Sequence, residues 1–371
     1  MYHHLLDKIK IDNPEWKEHI IKNTLLMVAL VLEEKTVNLW KLKAAVGKQL
    51  GTKNVDSRSH YQRIKRWFWE SQSQKGMWIV ILRASLSLLT KQANVLIIDG
   101  SSWKSGGVCY HFLTLSLLYR DVSIPIYWID IDRLGQSHQW HRKLLLKTAL
   151  KVLDLRYKVL LGDREYIGTE WFKILKNSLI DIVIRLRVTD YQYAIEQSGK
   201  PISKLERKAK SNLGRVIWKV FKLNNESYTF VIIAYKNRSG KIEFLRLITT
   251  LTPAKAVDFY HKRYRIESMF KNLKSNGFDL ESLNLKYTYK VQLMMAVLVL
   301  AYTLAVIYGL QDFKQKIKIK KHRSPEMSAF RWGLDKWQNH LSSIAHFLNK
   351  LNDYWKLWKI NQNKLIFAHV P

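Results

Sequence analysis

Three carboxylates stand out by position. Asp99 closes the apolar run "NVLIID", Asp163 closes "YKVLLGD", and Glu267 is the single acid in "YHKRYRIESMFKNLK" (260–274), among six basic or imidazole side chains. Oxygen-only donors suit a hard cation, and Mg2+ takes carboxylates while keeping positions open for phosphate. Two acids brought together repel unless a cation is shared. Arg, Lys and a tyrosine hydroxyl beside Glu267 are the expected partners of phosphate oxygens. The chemistry these residues could do together is metal-assisted phosphoryl transfer on a polyanion.

Each residue also has a plainer reading. Asp99 precedes Gly100, and Asp-Gly is a common turn or cap. Glu267 has Arg263 four residues before it and Lys271 four after, the spacing of a helix-surface ion pair. Asp130 and Asp132 in "WIDID" share one strand face and rival Asp99 for the cleft, although the end of an edge strand is commonly solvated. His138 and His141 in "SHQWHR" lack further ligands at zinc spacing, so they read as surface or DNA-contacting histidines.

The acids need a scaffold that gathers strand ends. From residue 94 the pattern predicts β-β-β-α-β-α-β, a mixed sheet that begins as an antiparallel meander. Sites form at the carboxyl ends of parallel strands where strand order reverses. A first strand lying between the meander and the fourth strand is such a point, and it sets Asp99 beside Asp163. Residues 188–250 alternate as strands with "NN" and "NRSGK" turns, a β-rich insertion. Residues 260–274 read as one helix. At ~100° per residue, Tyr260, Arg263, Glu267 and Lys274 fall within roughly 60° of one another. Phe259, Ile266, Met269, Phe270 and Leu273 form the apolar stripe alongside.

Residues 1–90 read as a helical region, with Asn13 and Pro14 opening its first helix and Gly51 closing its second. The third helix, "SRSHYQRIKRWFWE", is basic and aromatic. That suits a DNA-binding module, or a plain bundle with a solvated basic face. Residues 91–310 hold the sheet, its insertion at about 190–250 and the 260–274 helix. Residues 311–371 form a basic helical tail, with Ser324 and Pro325 opening a helix. Val291–Leu310 is near the length of a bilayer span. It stands alone and carries Gln292, Thr303 and two tyrosines, as a buried core helix does.

Composition narrows the partner. The 371 residues carry 62 Lys plus Arg against 30 Asp plus Glu, a formal charge of +32. Such an excess calls for a polyanion, and its mixture with aromatics favours nucleic acid over a membrane surface. The single cysteine, Cys109, excludes a disulfide within the chain and a cysteine-based zinc site. The opening residues lack an apolar h-region, so a cytoplasmic, nucleoid-associated protein is expected.

Tyr260-x2-Arg263-x3-Glu267-x6-Lys274 resembles the YREK signature of the IS4-like DDE transposases. "LIIDGSSW" resembles the block with their first catalytic aspartate, and "LLGDREYIG" the block with the second. The block order, the insertion and the small helical N-terminus also match, over about residues 55–310. The resemblance implies an α/β, RNase H-like core with flanking helices. Asp99, Asp163 and Glu267 would be catalytic and hold two Mg2+ ions, with Mn2+ able to substitute. Tyr260, Arg263 and Lys274 would grip phosphates, with Lys271, Arg164, Arg185 and Arg187 as further DNA contacts. For Arg185 and Arg187, which alternate onto one strand face, a solvated face is the alternative.

The implied partners are double-stranded DNA, as transposon ends and target, and a second copy of the chain, with no membrane and no small-molecule substrate. Water would cut a strand at the element's end, and the freed 3′-OH would attack the opposite strand or target DNA. Related elements pass through a DNA hairpin with a base flipped onto an aromatic. Trp218 is the candidate here, against the plainer reading of a strand tryptophan packed in the core. A transposase-derived DNA-binding protein without activity, and another RNase H-like nuclease, stay open as alternatives.

Overall fold

Caps and apolar runs set the first elements. In the computed structural model the described residues are 14, 16–52, 54–74, 76–89, 94–105, 107–131, 137–153, 159–321 and 325–353. Four helices open the chain: α1 (Glu18–Glu34), α2 (Leu39–Leu50), α3 (Ser57–Gln72) and α4 (Met77–Ser87). Helix α1 starts four residues later than Pro14 suggested, and Pro14 lies in a turn. Asn13 falls outside the described residues. The Asn38 side chain caps α2 by accepting from the Trp40 and Lys41 N–H groups, and Gly51 ends it at φ +68°. Helix α4 is an apolar segment that the periodicity did not separate from its neighbours.

The sheet follows: β1 (Val95–Ser105), β2 (Val108–Tyr119), β3 (Val122–Asp130), α5 (Gln139–Leu153), β4 (Val159–Gly162), α6 (Thr169–Asn177) and β5 (Asp181–Arg185). Then come α7 (Gln192–Gln197), α8 (Ile202–Ser211), β6 (Ile217–Leu223), β7 (Glu226–Lys236), β8 (Ile242–Thr249) and α9 (Pro253–Tyr260). The spatial order is β3-β2-β1-β4-β5-β8-β7-β6. Its first five strands have the RNase H-like arrangement, with β1, β4 and β5 parallel and β3 antiparallel to β2. Every residue of β4 is buried, as a central strand covered on both faces requires. The segment expected to alternate as strands from residue 188 instead opens with the helices α7 and α8, and only its strands from Ile217 onward extend this same sheet. Strand β8 pairs antiparallel with β5, Val183 opposite Thr249, and so covers what would otherwise be an open edge. Asn224 and Asn225 both take positive φ in the β6–β7 turn, the geometry that matches strand twist in a two-residue hairpin.

The chain after β8 corrects one expectation. Tyr260–Lys274 is not one helix: α9 ends at Tyr260 and α10 spans Arg265–Leu273. The link is a tight turn held by i→i−3 bonds, Lys262 N–H to Phe259 C=O and Arg263 N–H to Tyr260 C=O, each 2.9 Å. Four residues are too few for apolar periodicity to separate this tighter winding from α-helix.

Contacts divide the chain into two compact units. One is the sheet unit, residues 92–102 and 110–268; the other comprises 1–91, 103–109 and 269–371. The second is built on α11 (Thr288–Leu310), followed by α12 (Phe313–Lys316) and α13 (Ala329–Gln338). Helix α11 is long and apolar enough to cross a membrane, yet 89% of its most apolar window is buried against protein. It packs on α1, α4 and α13, and its one buried hydroxyl pair joins Thr303 to Ser85 at 2.7 Å. Helix α13 is capped by Ser328, which accepts from the Arg331 N–H. Ser324 lies outside the described residues, and Pro325 forms an isolated bridge with Ile319.

Candidate active site

The parallel register of β1 and β4 positions the two aspartates. Ile97 is level with Leu161, and the same register carried two residues further sets Asp99 on β1 opposite Asp163, the residue just after β4. Asp99 is not at a turn. Strand β1 runs on to Ser105, and the Asp99 Oδ1 accepts from the N–H of its neighbour Gly100 at 2.9 Å. Asp163 follows β4 directly and opens a turn closed by Tyr166 N–H to Asp163 C=O at 2.9 Å. Its Oδ1 accepts from the Arg164 N–H at 2.8 Å and the Tyr260 hydroxyl at 3.5 Å.

Arg263 ties the third acid to the first. Its Nη1 lies 3.5 Å from Asp99 Oδ2, and its Nη2 donates to Glu267 Oε1. The Arg263 side chain is 12% exposed and that of Glu267 57% exposed. The helix-surface pair weighed for Glu267 is therefore made, by the arginine that also reaches Asp99. Among the described residues, no three His, Cys, Asp or Glu side chains are grouped closely enough to hold a metal ion. The acids gather around a guanidinium rather than around one another.

The family model described as "Transposase DDE domain" matches residues 90–304, more than half of the chain. The chain belongs to this family. It is a transposase-family enzyme, and its matched region holds all three acids. No curated protein matches it. A solved structure, "Cryo-EM structure of piggyBac transposase synaptic complex with hairpin DNA (SNHP)", is 11% identical with a TM-score of 0.46, covering 90% of this chain and 73% of that one.

Electrostatics in this transposase domain centre on Asp99. Burial pushes its carboxyl up to about 6; Arg263 and the Gly100 N–H oppose the rise, while Glu165 and Asp163 add to it. Burial and Asp163 push the Tyr260 hydroxyl up to about 12, against Arg263 and Arg185. For Arg263, burial opposes the charge, but Tyr260, Asp163, Asp99 and Glu267 together hold the guanidinium protonated above its ordinary range. DDE transposase domains use divalent ions. An oxygen-only donor set, a carboxylate whose charge is under-compensated and a cation already drawn between two acids fit that chemistry.

Two residues that sequence reasoning missed support these acids. Tyr166 is fully buried, and its hydroxyl donates to Asp99 Oδ1 at 3.4 Å. Arg142, 5% exposed on α5, donates to Ser137 Oγ at 3.0 Å, the Ser137 carbonyl at 2.7 Å and the Ile167 carbonyl at 2.8 Å. It thus pins the loop that carries Asp163 to α5, with its guanidinium 5.3 Å from the Tyr166 ring centre. The available signal was "DREYIG", where an aromatic returns three residues after an acid in a turn.

The other expected residues separate. Arg185, at the end of β5, lies near the Tyr260 hydroxyl. Arg164 and Arg187 are exposed and line a cavity with Trp140 and His138. Lys271 is exposed, while Lys274, just past α10, sits 3.5 Å from Glu281 and 5.7 Å from the Trp103 ring centre. Trp218 is not packed in the core: it is 55% exposed on β6, the strand at one edge of the sheet. Asp130 ends β3, the opposite edge strand, and is half-buried; Asp132 falls outside the described residues. The N–H of His138 donates to His141 Nδ1 at 3.1 Å, a local turn contact.

Proposed function

We propose that the chain is the transposase of an IS4-like insertion sequence. It binds the element's terminal inverted repeats and catalyses Mg2+-dependent strand cleavage and strand transfer by cut and paste. The observation that carries this reading is the parallel register that brings Asp99 on β1 and Asp163 at the end of β4 together, with Glu267 joined to Asp99 through Arg263. Asp99, Asp163 and Glu267 would hold the divalent ions, which polarise the phosphate and favour an oxygen nucleophile at neutral pH. Tyr260 and Arg263 orient the acids until a phosphate competes with Asp99 and Glu267 for the Arg263 guanidinium, whose planar fork suits it. The residues 1–90 region, with exposed Trp40 and Trp69, supplies further DNA contacts. A homodimer on paired ends and a place in a prokaryotic cytoplasm, associated with the nucleoid, complete the reading.

The test uses purified protein, Mg2+ and a DNA fragment carrying the inverted repeats that flank the gene. Asp99→Asn, Asp163→Asn and Glu267→Gln are each expected to lower cleavage by about 10³-fold or more while end binding persists. Cleavage at the wild-type rate by any one of them sinks the assignment. Preference for branched DNA over the repeats would make the enzyme a structure-selective nuclease.

A further inference from the structure

Tyr166 reaches from one aspartate to the other within the sheet unit. Its N–H donates to the Asp163 carbonyl at 2.9 Å, and its hydroxyl donates to Asp99 Oδ1 at 3.4 Å. The ring between those two bonds is fully buried and lies against glycines that adjoin the acids. A Cβ on Gly162 would come within 3.0 Å of the Tyr166 Cβ and 3.3 Å of its Cδ2, closer than ordinary van der Waals contact. At the far end of the ring, a Cβ on Gly100 would sit 3.8 Å from the hydroxyl. Arg142 stands over the ring, 5.3 Å from its centre, and fixes the next residue by donating to the Ile167 carbonyl at 2.8 Å. With backbone and ring both held, the position of the hydroxyl is set by the packing. A hydroxyl at this depth is costly without an acceptor, and its acceptors are Asp99 and Glu165.

We propose that Tyr166 is a positioning residue, which fixes the Asp99 carboxylate relative to Asp163 so that the pair is set for a divalent cation before one binds. The inference rests on the reading that these acids hold divalent ions, and it adds a residue which that reading does not name. Both Asp99 oxygens face donors, Gly100 N–H and Tyr166 at Oδ1 and Arg263 at Oδ2, and together these set the plane of the carboxylate. A carboxylate free to rotate loses that freedom when a cation arrives, whereas one already hydrogen-bonded has less to lose. Groups that hydrogen-bond a metal ligand accordingly change metal affinity without touching the metal. Because the same side chain is anchored on Asp163, Tyr166 ties the position of one acid to that of the other.

The test reads Mn2+ binding by the full-length protein without DNA, from the free-ion signal in electron paramagnetic resonance. Tyr166→Phe keeps the ring and removes the hydroxyl, and it is expected to weaken Mn2+ about tenfold. In an Asp99→Asn background the same change is expected to cost nothing further, because the group that the hydroxyl positions is gone. A hydroxyl that only stabilises the fold would weaken binding equally in both backgrounds. Gly162→Ala, which presses on the ring and keeps the hydroxyl, is expected to weaken Mn2+ as well, and it serves as the probe if the Phe variant folds poorly. Equal losses in the two backgrounds overturn the proposal, and so does an unchanged affinity in folded Tyr166→Phe. Coupling to Glu165→Gln in place of Asp99→Asn assigns the hydroxyl to Glu165 and overturns it too. If Asp99→Asn alone leaves Mn2+ affinity at the wild-type value, the metal-binding reading fails and takes this inference with it. A loss in Asp99→Asn with none in Tyr166→Phe removes the tyrosine's role alone.

Discussion

At the residue scale, the site is a set of acids organised around an arginine. Asp99 is the most strained electrostatically, because burial and its acidic neighbours outweigh the help from Arg263. Its carboxyl titrates near 6 when folded, against 3.8 as the ordinary value. A raised carboxyl pKa favours folding while the group is protonated. That contribution is full below about pH 4 and lost as pH rises through about 6. Asp99→Asn, which cannot ionise, should therefore stabilise the protein in EDTA at pH 7.5, by on the order of 2 kcal/mol. The gain should vanish near pH 4. Thermal melts of both proteins across that range check it, and an equal difference at every pH would mean that Asp99 is not desolvated as described. The same imbalance leaves a cost of burial at Asp99 that the guanidinium only partly offsets.

At the scale of elements, two close approaches matter. The break at residues 261–264 separates α9 from α10 and lets Tyr260 face Asp163 while Arg263 spans Asp99 and Glu267. In the helical unit, α11 crosses α13 at paired glycines. A Cβ on Gly309 would overlap the Ala329 carbonyl, and one on Gly333 would overlap the Ala305 carbonyl. Small residues at a crossing let backbones touch, and added bulk must push the helices apart. Gly309→Ala is expected to destabilise by about 1–3 kcal/mol despite alanine's better helix propensity. Urea melts would show it as a lower midpoint; an unchanged or higher midpoint would show that the crossing is looser than described.

For the whole molecule, charge sets behaviour with DNA. A formal excess of +32 remains after every acid in the chain is counted, so affinity for any duplex should fall steeply with salt. Lys274 tests how local that field is. It sits beside Glu281 and the Trp103 ring, and still carries a charge that a phosphate can claim. Lys274→Ala is expected to weaken end binding and to reduce the slope of log K against log salt by about one contact. Titrations at several salt concentrations measure that slope, and an identical slope would remove Lys274 from the DNA interface.

The sequence by itself determined the order of the sheet's strands and helices along the chain and the candidacy of Asp99, Asp163 and Glu267; the spatial place of β1 between the meander and β4 is an expectation that the fold bears out. Period-two and period-3.6 patterns and the position of acids after apolar runs are local properties, legible without a fold. Buried α11 was legible as well, since a uniformly apolar helix has no polar face to expose. Tertiary structure alone decided the rest. It showed β1 running past Asp99, the 260–274 helix broken by a tight turn, the β-rich segment joined to the edge of β5, and Trp218 exposed. It also brought Tyr166 and Arg142 to the acids and Arg164 and Arg187 to Trp140. Those outcomes depend on which distant groups compete for the same hydrogen bonds and the same space, and no short window of sequence contains both competitors.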